Sequence, residues 1–338
     1  MEYKNIRISI AWVAYQRRAE SLAKYFDLDM YYMHYKWEEK SKYYKPVSYI
    51  FKLAETFKIL FSTRAKIIFV QVAPTLPLYP IVLYCKLKKA IFIADCHNTT
   101  FYDSVWIKLP LAKKLLYKAN TVFVHNEDIL EKVKDWNLPV FLLRDPIPEI
   151  KVNDTIDNIA NIEIKKQQYV IIPGSFASDE PMEELFNAMK LLPDVLFACT
   201  WFAERMPKEQ QKDIPSNLHL TGFLNEEDFN AFYANAAAAI VLTTREGTQP
   251  SGASEAIALN IPLVISDIAT TRRLYKDAPV FVNSDGASIA NGVRIALNNT
   301  TELKRKLKEL KERLSTENNN QLTAFKEKMT VLEKNLSS

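Results

Sequence analysis

Glycine is scarce in this sequence. Only six occur in 338 residues, and none precedes Gly174. A dinucleotide fingerprint needs glycines where a first strand meets a first helix, and a P-loop needs them ahead of Lys-Ser/Thr. The first half can supply neither, and the later glycines have neither spacing. Nicotinamide and Walker-type ATP chemistry are therefore set aside. Cysteine is scarce too. Cys85, Cys96 and Cys199 are too few and too scattered for a disulfide framework or a zinc site, and a reduced, cytoplasmic setting fits. The amino terminus, MEYKNIRISIAW, lacks an apolar run long enough for a signal peptide. No carboxylate/histidine cluster has metal-ligand spacing, so no metal and no bound cofactor is expected. Asp27-Leu28-Asp29 has the D-x-D form of a metal–nucleotide motif, but it falls at a helix-to-strand turn.

What is present is ordinary globular composition, 48% hydrophobic and 25% charged. The length suggests two domains, each with its own core. Charge divides unevenly. Residues 1–150 hold 23 Lys/Arg and 15 Asp/Glu, a net of +8; the rest hold 21 and 25, a net of −4. A basic half beside an acidic half suggests two tasks. The uncharged run 67–85 has about the length of a bilayer span. Pro74, Pro77 and Pro80 interrupt it, so a strand, a proline turn and a short buried helix are expected instead.

Short β-branched runs alternate with amphipathic segments along the whole chain. Strands are expected at 6–13, 28–34, 67–72, 90–95, 121–126 and 140–145, then at 169–174, 195–201, 218–222, 238–244, 261–267 and 279–282. Helices fall between them, including 48–62 and 109–119. Such alternation specifies parallel sheets covered by helices on both faces. The fold class is α/β, with two doubly wound Rossmann-like domains facing a cleft. The first domain spans 1–147, a polar linker 148–167, and the second domain 168–315. The tail from Thr301 to Ser338 is expected to be a long helix broken near Asn318-Asn319-Asn320, with its last part, 316–338, packing back on the first domain.

The segment REGTQPSGASEAIALNIPLVISD (245–267) carries the functional reading. A strand leads to Glu246, then a loop of small polar residues, then a helix opening near Ser251 with Glu255 in its first turns. Backbone N–H groups at such a helix start form an anion site. The segment resembles the donor site of family 4-like glycosyltransferases of the GT-B fold, the glycosyl transferases group 1. The run Ser175-Phe176-Ala177-Ser178-Asp179-Glu180 is also similar, more thinly, to the β-mannosyltransferases that act on lipid-linked chitobiose. The resemblance implies a nucleotide-sugar donor, UDP- or GDP-linked, as co-substrate. It places Glu246 on the donor sugar and Glu255 on the ribose hydroxyls. Gly174, Ser175, Thr248, Ser251 and Gly252 would line the diphosphate. The family separates its glutamates by seven residues; here there are eight, Gly247 to Ser254. No Lys or Arg lies between Lys166 and Lys190, where many members carry one. Arg205 and Arg245 are the candidate replacements.

In the first half, VQVAPTLPLYPIVLY (70–84) and IADCHNTT (93–100) resemble the "Q-x-P-P … D-x-H-N" arrangement of the same transferases. His97 then faces the reaction as a hydrogen-bonding or proton-transferring group. Asp95, Asn98 and His125 are candidate acceptor contacts. His34 and His219 read as structural. The resemblance implies transfer with retention to a glycan or lipid-linked acceptor, in surface polysaccharide or glycolipid synthesis. An inverting transferase with His97 or Asp95 as base stays open. So does a non-catalytic scaffold that binds sugar nucleotides or glycans.

Residues Tyr31 to Lys66 crowd aromatics among lysines. An anionic membrane surface favours this mixture, which points to a chain peripheral to the inner face of a membrane. The competing reading is a core helix whose buried stripe is Ile50, Leu53, Phe57 and Leu60. No nucleic-acid motif accompanies the basic run, and no nucleic-acid partner is expected.

Overall fold

The computed structural model describes residues 6–41, 43–102, 104–152, 168–174, 176–206 and 208–337. The chain divides into two compact units, 1–146 with 317–338, and 147–316. Each holds one six-stranded parallel sheet.

Unit 1 runs β1 (Arg7–Ala11), α1 (Arg17–Phe26), β2 (Asp29–Tyr32), α2 (Tyr44–Thr63), β3 (Ile67–Val72), α3 (Leu78–Lys88), β4 (Ile91–Cys96), α4 (Val105–Lys108), α5 (Ala112–Leu116), β5 (Thr121–Val124), α6 (Glu127–Lys132) and β6 (Val140–Leu142). The strand order is β2-β1-β3-β4-β5-β6. β3 and β4 are buried at every residue, as expected of strands covered on both faces. One face packs Ile8, Ile10, Val70 and Val124; the other packs Phe26, Phe69 and Phe123.

Unit 2 runs β7 (Tyr169–Ile172), α7 (Met182–Lys190), β8 (Leu196–Cys199), α8 (Lys208–Gln211), β9 (Leu218–Leu220), α9 (Glu226–Ala234), β10 (Ala238–Val241), α10 (Ser251–Leu259), β11 (Leu263–Ser266), α11 (Ala269–Tyr275), β12 (Val280–Val282), α12 (Gly286–Asn298) and the first part of α13 (Thr300–Ser337), whose remainder from Glu317 belongs to unit 1. Its order is β12-β11-β10-β7-β8-β9.

Three local expectations are corrected. The helix expected over 109–119 is reduced to α5, and α4 stops before it at Lys108, because Pro110 holds Leu109 at ψ 146° and Leu111 turns left-handed at φ 63°. The helix expected to break at Asn318-Asn319-Asn320 is continuous through α13. Tertiary bonds outweigh the weak helix propensity of asparagine there. Asn318 donates to the Arg144 carbonyl at 2.9 Å, and Gln321 accepts from the Arg144 N–H at 3.0 Å. Phe325 then sits between Phe26 and Phe123.

The third correction concerns α2. Its buried stripe is Ser48, Lys52, Thr56 and Leu60, while Ile50 is 67% exposed. Burying Lys52 requires an anion, and Glu38, on the turn Lys36–Glu39, supplies one at 2.9 Å. Thr56 accepts from the Trp12 indole at 3.2 Å. With its polar face inward, the helix turns Tyr44, Val47, Ile50 and Phe51 to the outside.

The uncharged run 67–85 is β3, a turn and part of α3. No helix among the described residues is long and apolar enough to cross a membrane.

Candidate functional site

In unit 2 the chain leaves β7 toward β8 on one side, and β10 pairs on the other. A doubly wound sheet opens a crevice at such a reversal, beyond the carboxyl ends of its strands. A cavity of about 260 Å³ lies there. Ile172 ends β7 and Val241 ends β10; with Pro173, Gly174, Leu242 and Thr243, which directly follow them, they line the cavity, and Thr248 with Ser251 and Gly252 at the start of α10 closes it.

Gly252 is required by packing. A Cβ there would stand 2.7 Å from Pro173 Cγ and 3.2 Å from Val241 Cγ2. Without it, the first turn of α10 lies directly against the two strand ends. The N-cap of α10 is Pro250, which offers no side-chain cap. The positive end of the helix dipole therefore faces the cavity. Glu255 is buried one turn on. It lies near Tyr233, whose hydroxyl is pushed well up by burial and then by the Glu255 charge. Tyr233 ties the turn down by donating to the Gly252 carbonyl at 2.7 Å.

Glu246 sits beside this loop as a cap for α11. Its carboxylate accepts from the N–H groups of Ala269 (3.1 Å) and Thr270 (3.3 Å) and from the Thr270 hydroxyl (3.0 Å). The Gly247 N–H donates to that hydroxyl at 2.8 Å, so Glu246 fixes the loop that carries Thr248. Two carboxylates also line the cavity. Glu180 accepts from the Phe176 N–H at 2.9 Å. Asp179 accepts from the Thr243 hydroxyl at 2.7 Å and from Arg245 at 3.0 Å. Arg245 is thus held by Asp179, and the cavity lining itself holds no Lys or Arg among the described residues. Ser175 and the Arg205 side chain lie outside the described residues.

Unit 1 has its own reversal, between β1 and β3. Here the strand ends carry charge. Arg18, near the start of α1, reaches Asp95 with two contacts of 3.0 and 3.1 Å, Asp145 at 2.8 Å and the Leu143 carbonyl at 2.9 Å. His125 lies 3.4 Å from Asp95 and 3.7 Å from Asp145. Burial alone would raise the Asp95 carboxyl. The Arg18 charge and the His125 hydrogen bond instead hold it well below the usual carboxylate range. Asp95 is thus a fixed anion with no free capacity as a base near neutral pH.

His97 is half-buried beside this group, its ring 5.2 Å from that of His125. The side-chain amides of Gln16 and Gln71 reach its Nε2 at 3.3 and 3.0 Å. Burial, then the neighbouring His125, lowers His97 to about 4, so the ring is neutral at pH 7. Of the expected acceptor residues, Asp95 and His125 are buried in the ion-pair network. Asn98 follows His97 on the short turn Asn98–Thr100.

Arg18, Asp145 and Gln16 were not anticipated from sequence, and Gln71 appeared only as the first residue of the Q-x-P-P run, without a role; two of the four left a further signal. Arg18 shares the i, i+4, i+8 stripe of Leu22 and Phe26, so it must be buried. Gln71 is the lone polar residue in IIFVQV, a strand buried on both faces. Asp27, of the D-x-D triplet, is the left-handed C-cap of α1.

The family model described as "Glycosyl transferases group 1" matches residues 154–316. Among curated proteins none matches the chain. Solved structures match along nearly the whole length. Sucrose-phosphate synthase from Thermosynechococcus elongatus superposes with a TM-score of 0.71 at 13% identity, covering 98% of this chain and 100% of that one. HepE from Anabaena, in complex with UDP and glucose, gives 0.70 at 9%, covering 97% and 100%. A UDP-forming trehalose-phosphate synthase from Burkholderia xenovorans gives 0.65 at 11%, covering 99% and 100%. At such identities the likeness is one of fold, and the fold is that of GT-B glycosyltransferases. The narrower similarity to lipid-linked chitobiose β-mannosyltransferases is not shown by these matches.

Proposed function

We propose that this glycosyltransferase moves a sugar from a nucleotide diphosphate, UDP or GDP, to a glycan or lipid-linked acceptor, with retention of configuration. The cavity between the ends of β7 and β10, closed by the uncapped start of α10, carries this reading. The amides of Ser251 and Gly252 with the helix dipole would receive the diphosphate. Glu255 would take the ribose hydroxyls. A carboxylate accepts several hydrogen bonds, so Glu246 can hold α11 and still receive a sugar hydroxyl. HepE, of like fold, is seen with UDP and glucose, which supports a UDP-linked donor. His97 serves from unit 1 as a neutral hydrogen-bonding group, and the departing phosphate takes the acceptor proton.

Glu255→Ala is expected to weaken UDP binding by about 1.5–3 kcal/mol, the range for hydrogen bonds to a charged group. Calorimetric titration measures it, and unchanged affinity removes Glu255 from the donor site. The absence of Lys and Arg from the described lining favours a second reading, a domain that binds a sugar nucleotide without turning it over. Binding without donor hydrolysis or transfer across a broad donor and acceptor panel would establish that reading.

The helices of unit 1 bear on the acceptor. Residues 43–118 hold twelve Lys/Arg against three Asp/Glu, a net of +9. α2 packs beside α3, and α3 and α4 beside α5. This layer exposes Val47, Ile50, Phe51, Leu83, Leu87 and Val105 together with Lys45, Lys58, Lys86, Lys88, Lys113 and Lys114. Apolar side chains set among lysines complement an anionic lipid surface, at about 1 kcal/mol per lysine near the headgroups. We infer that this layer rests on such a membrane, where a lipid-linked acceptor would be found. Sedimentation should show binding to phosphatidylglycerol vesicles, release by salt, and little binding to phosphatidylcholine vesicles. Equal binding to both, or to neither, removes this part of the reading.

A further inference from the structure

Gln16 is tied at both ends of its side-chain amide. Its Oε1 accepts from the Ala19 N–H at 2.6 Å, capping the first turn of α1. An N–H needs an acceptor, so the oxygen end of the amide is fixed on the helix. The NH₂ end must then face His97 Nε2, 3.3 Å away. An amide NH₂ can only donate, so Nε2 must accept. Gln71 meets the same nitrogen at 3.0 Å, and with Nε2 accepting it must donate too. That arrangement leaves Gln71 Oε1 without a partner, although the residue is only 8% exposed. A buried orphan oxygen marks a site held in one hydrogen-bonding sense against the local preference. The ring proton is left on Nδ1, and no described residue bonds that atom.

We propose that Gln16, seconded by Gln71, is a positioning residue that fixes His97 in its Nδ1–H tautomer, so that this histidine offers substrate a neutral hydrogen-bond donor and withholds a base. The last step rests on the glycosyl-transfer reading above; the tautomer does not. Donation from Nδ1–H suits a sugar hydroxyl or a phosphate oxygen, both acceptors. A general base at Nε2 would require a lone pair not already bridging two amides.

The tautomer can be read without any substrate. In the full chain with nitrogen-15 histidine, His97 should show a protonated Nδ1 and an unprotonated Nε2 from pH 5 to 8. Gln16→Glu keeps an oxygen on the Ala19 N–H and turns the second oxygen toward Nε2. It should move the proton to Nε2 and raise the His97 midpoint by more than about one pH unit, since an adjacent carboxylate favours the charged ring. Gln71→Glu should do the same from the strand, which covers the case in which Gln16→Glu disturbs α1. A wild-type ring protonated at Nε2, or both variants leaving tautomer and midpoint unchanged, would overturn the proposal.

The role toward substrate is tested separately. The Asn side chain superposes its amide on Nδ1, and the Gln side chain superposes its amide on Nε2. With UDP-glucose as the probe donor, His97→Asn should retain about tenfold more kcat than His97→Gln, one hydrogen bond's difference. The reverse order would assign the reaction to Nε2. No transfer or donor hydrolysis by the wild type across a panel of UDP- and GDP-linked sugars, with the tautomer as described, would overturn the glycosyl-transfer reading and leave the role of Gln16 standing.

Discussion

Two arginine–aspartate pairs stand at the two strand reversals, and both close at 3.0 Å. In unit 1, Arg18 and Asp95 have side chains 3% and 5% exposed. In unit 2, Arg245 and Asp179 are 51% and 18% exposed. The first pair belongs to a group with the buried His125 and the partly exposed Asp145, in which Arg18 answers both carboxylates. The second borders an open cavity floored by small residues and backbone. Equal distances therefore carry different weights, because desolvation and not length sets what a missing partner costs. Unit 1 has a charged cluster, and unit 2 a cavity whose described lining holds no Lys or Arg and faces the start of α10.

Arg18→Met breaks the comparison most severely. It strips compensation from Asp95 and Asp145, which burial alone would push upward. A loss of about 3–5 kcal/mol is expected, the range for an orphaned buried charge. Urea unfolding followed by tryptophan fluorescence measures it, since four of the five tryptophans, Trp12, Trp37, Trp106 and Trp136, belong to unit 1. A loss under about 1 kcal/mol would equate the pair with a surface one.

The contrast between the two reversals was only partly legible in the sequence. The strands and their order of alternation were readable because runs such as IIFVQV and AIFIAD can only be buried, parallel strands. The loop before α10 was readable as a candidate site because its small residues and two glutamates lie within one continuous stretch. The charged group of unit 1 was half-visible. Asp95, His97 and His125 end strands and drew attention, but Arg18 and Asp145 lie 77 and 50 residues from Asp95 along the chain, joined only by sheet topology. Glu246 as a helix cap was hidden for the same reason, since Thr270 follows it by 24 residues. The inverted α2 was misread because periodicity tells that a stripe exists, not which side an outside partner such as Glu38 will bury.

Gly252→Ala sharpens the pocket's side of the comparison. The new Cβ meets Val241 at the end of β10 and Pro173 directly after β7. Overpacking of this kind costs about 1–3 kcal/mol, and the displaced α10 should weaken UDP binding with it. A melting curve and a titration on the same sample check both. A fully stable variant with intact binding would mean that α10 shifts freely, and that the pocket is less fixed than its packing indicates.

Acidification separates the two regions by another route. Burial lowers folded His97 to about 4, against about 6.5 unfolded. Between those values the unfolded chain holds a proton that the folded one lacks. Stability is therefore complete above the window and falls as pH drops through it, by at most one proton, about 1.4 kcal/mol per pH unit. The Asp95 and Asp145 carboxyls are also depressed, so their contribution is retained above about pH 4 and lost below it. His97→Asn should flatten the upper stage and leave the lower one. Urea midpoints at pH 7 and 5 decide, and an unchanged slope in the variant would place the proton uptake elsewhere.

Arg245→Ala should have the smallest effect on stability and thereby test why equal distances differ. Its guanidinium is half-exposed, so removing it leaves Asp179 in contact with water and with the Thr243 hydroxyl. A change within about 1 kcal/mol is expected, as for exposed pairs generally. Binding should respond differently. If Arg245 serves the donor, it must leave Asp179 for a phosphate, and the variant should bind UDP less tightly with a shallower dependence on salt, because one screened attraction is gone. If Arg245 only neutralises Asp179, deleting it exposes a carboxylate at the mouth of an anion site. Affinity then also falls, but Asp179→Asn in the same background restores it. Recovery in the double variant would give Arg245 the part that Arg18 plays in unit 1, a counter-charge that keeps a carboxylate in place. Failure to recover would make it a ligand contact, the role no buried member of the Arg18 group can take.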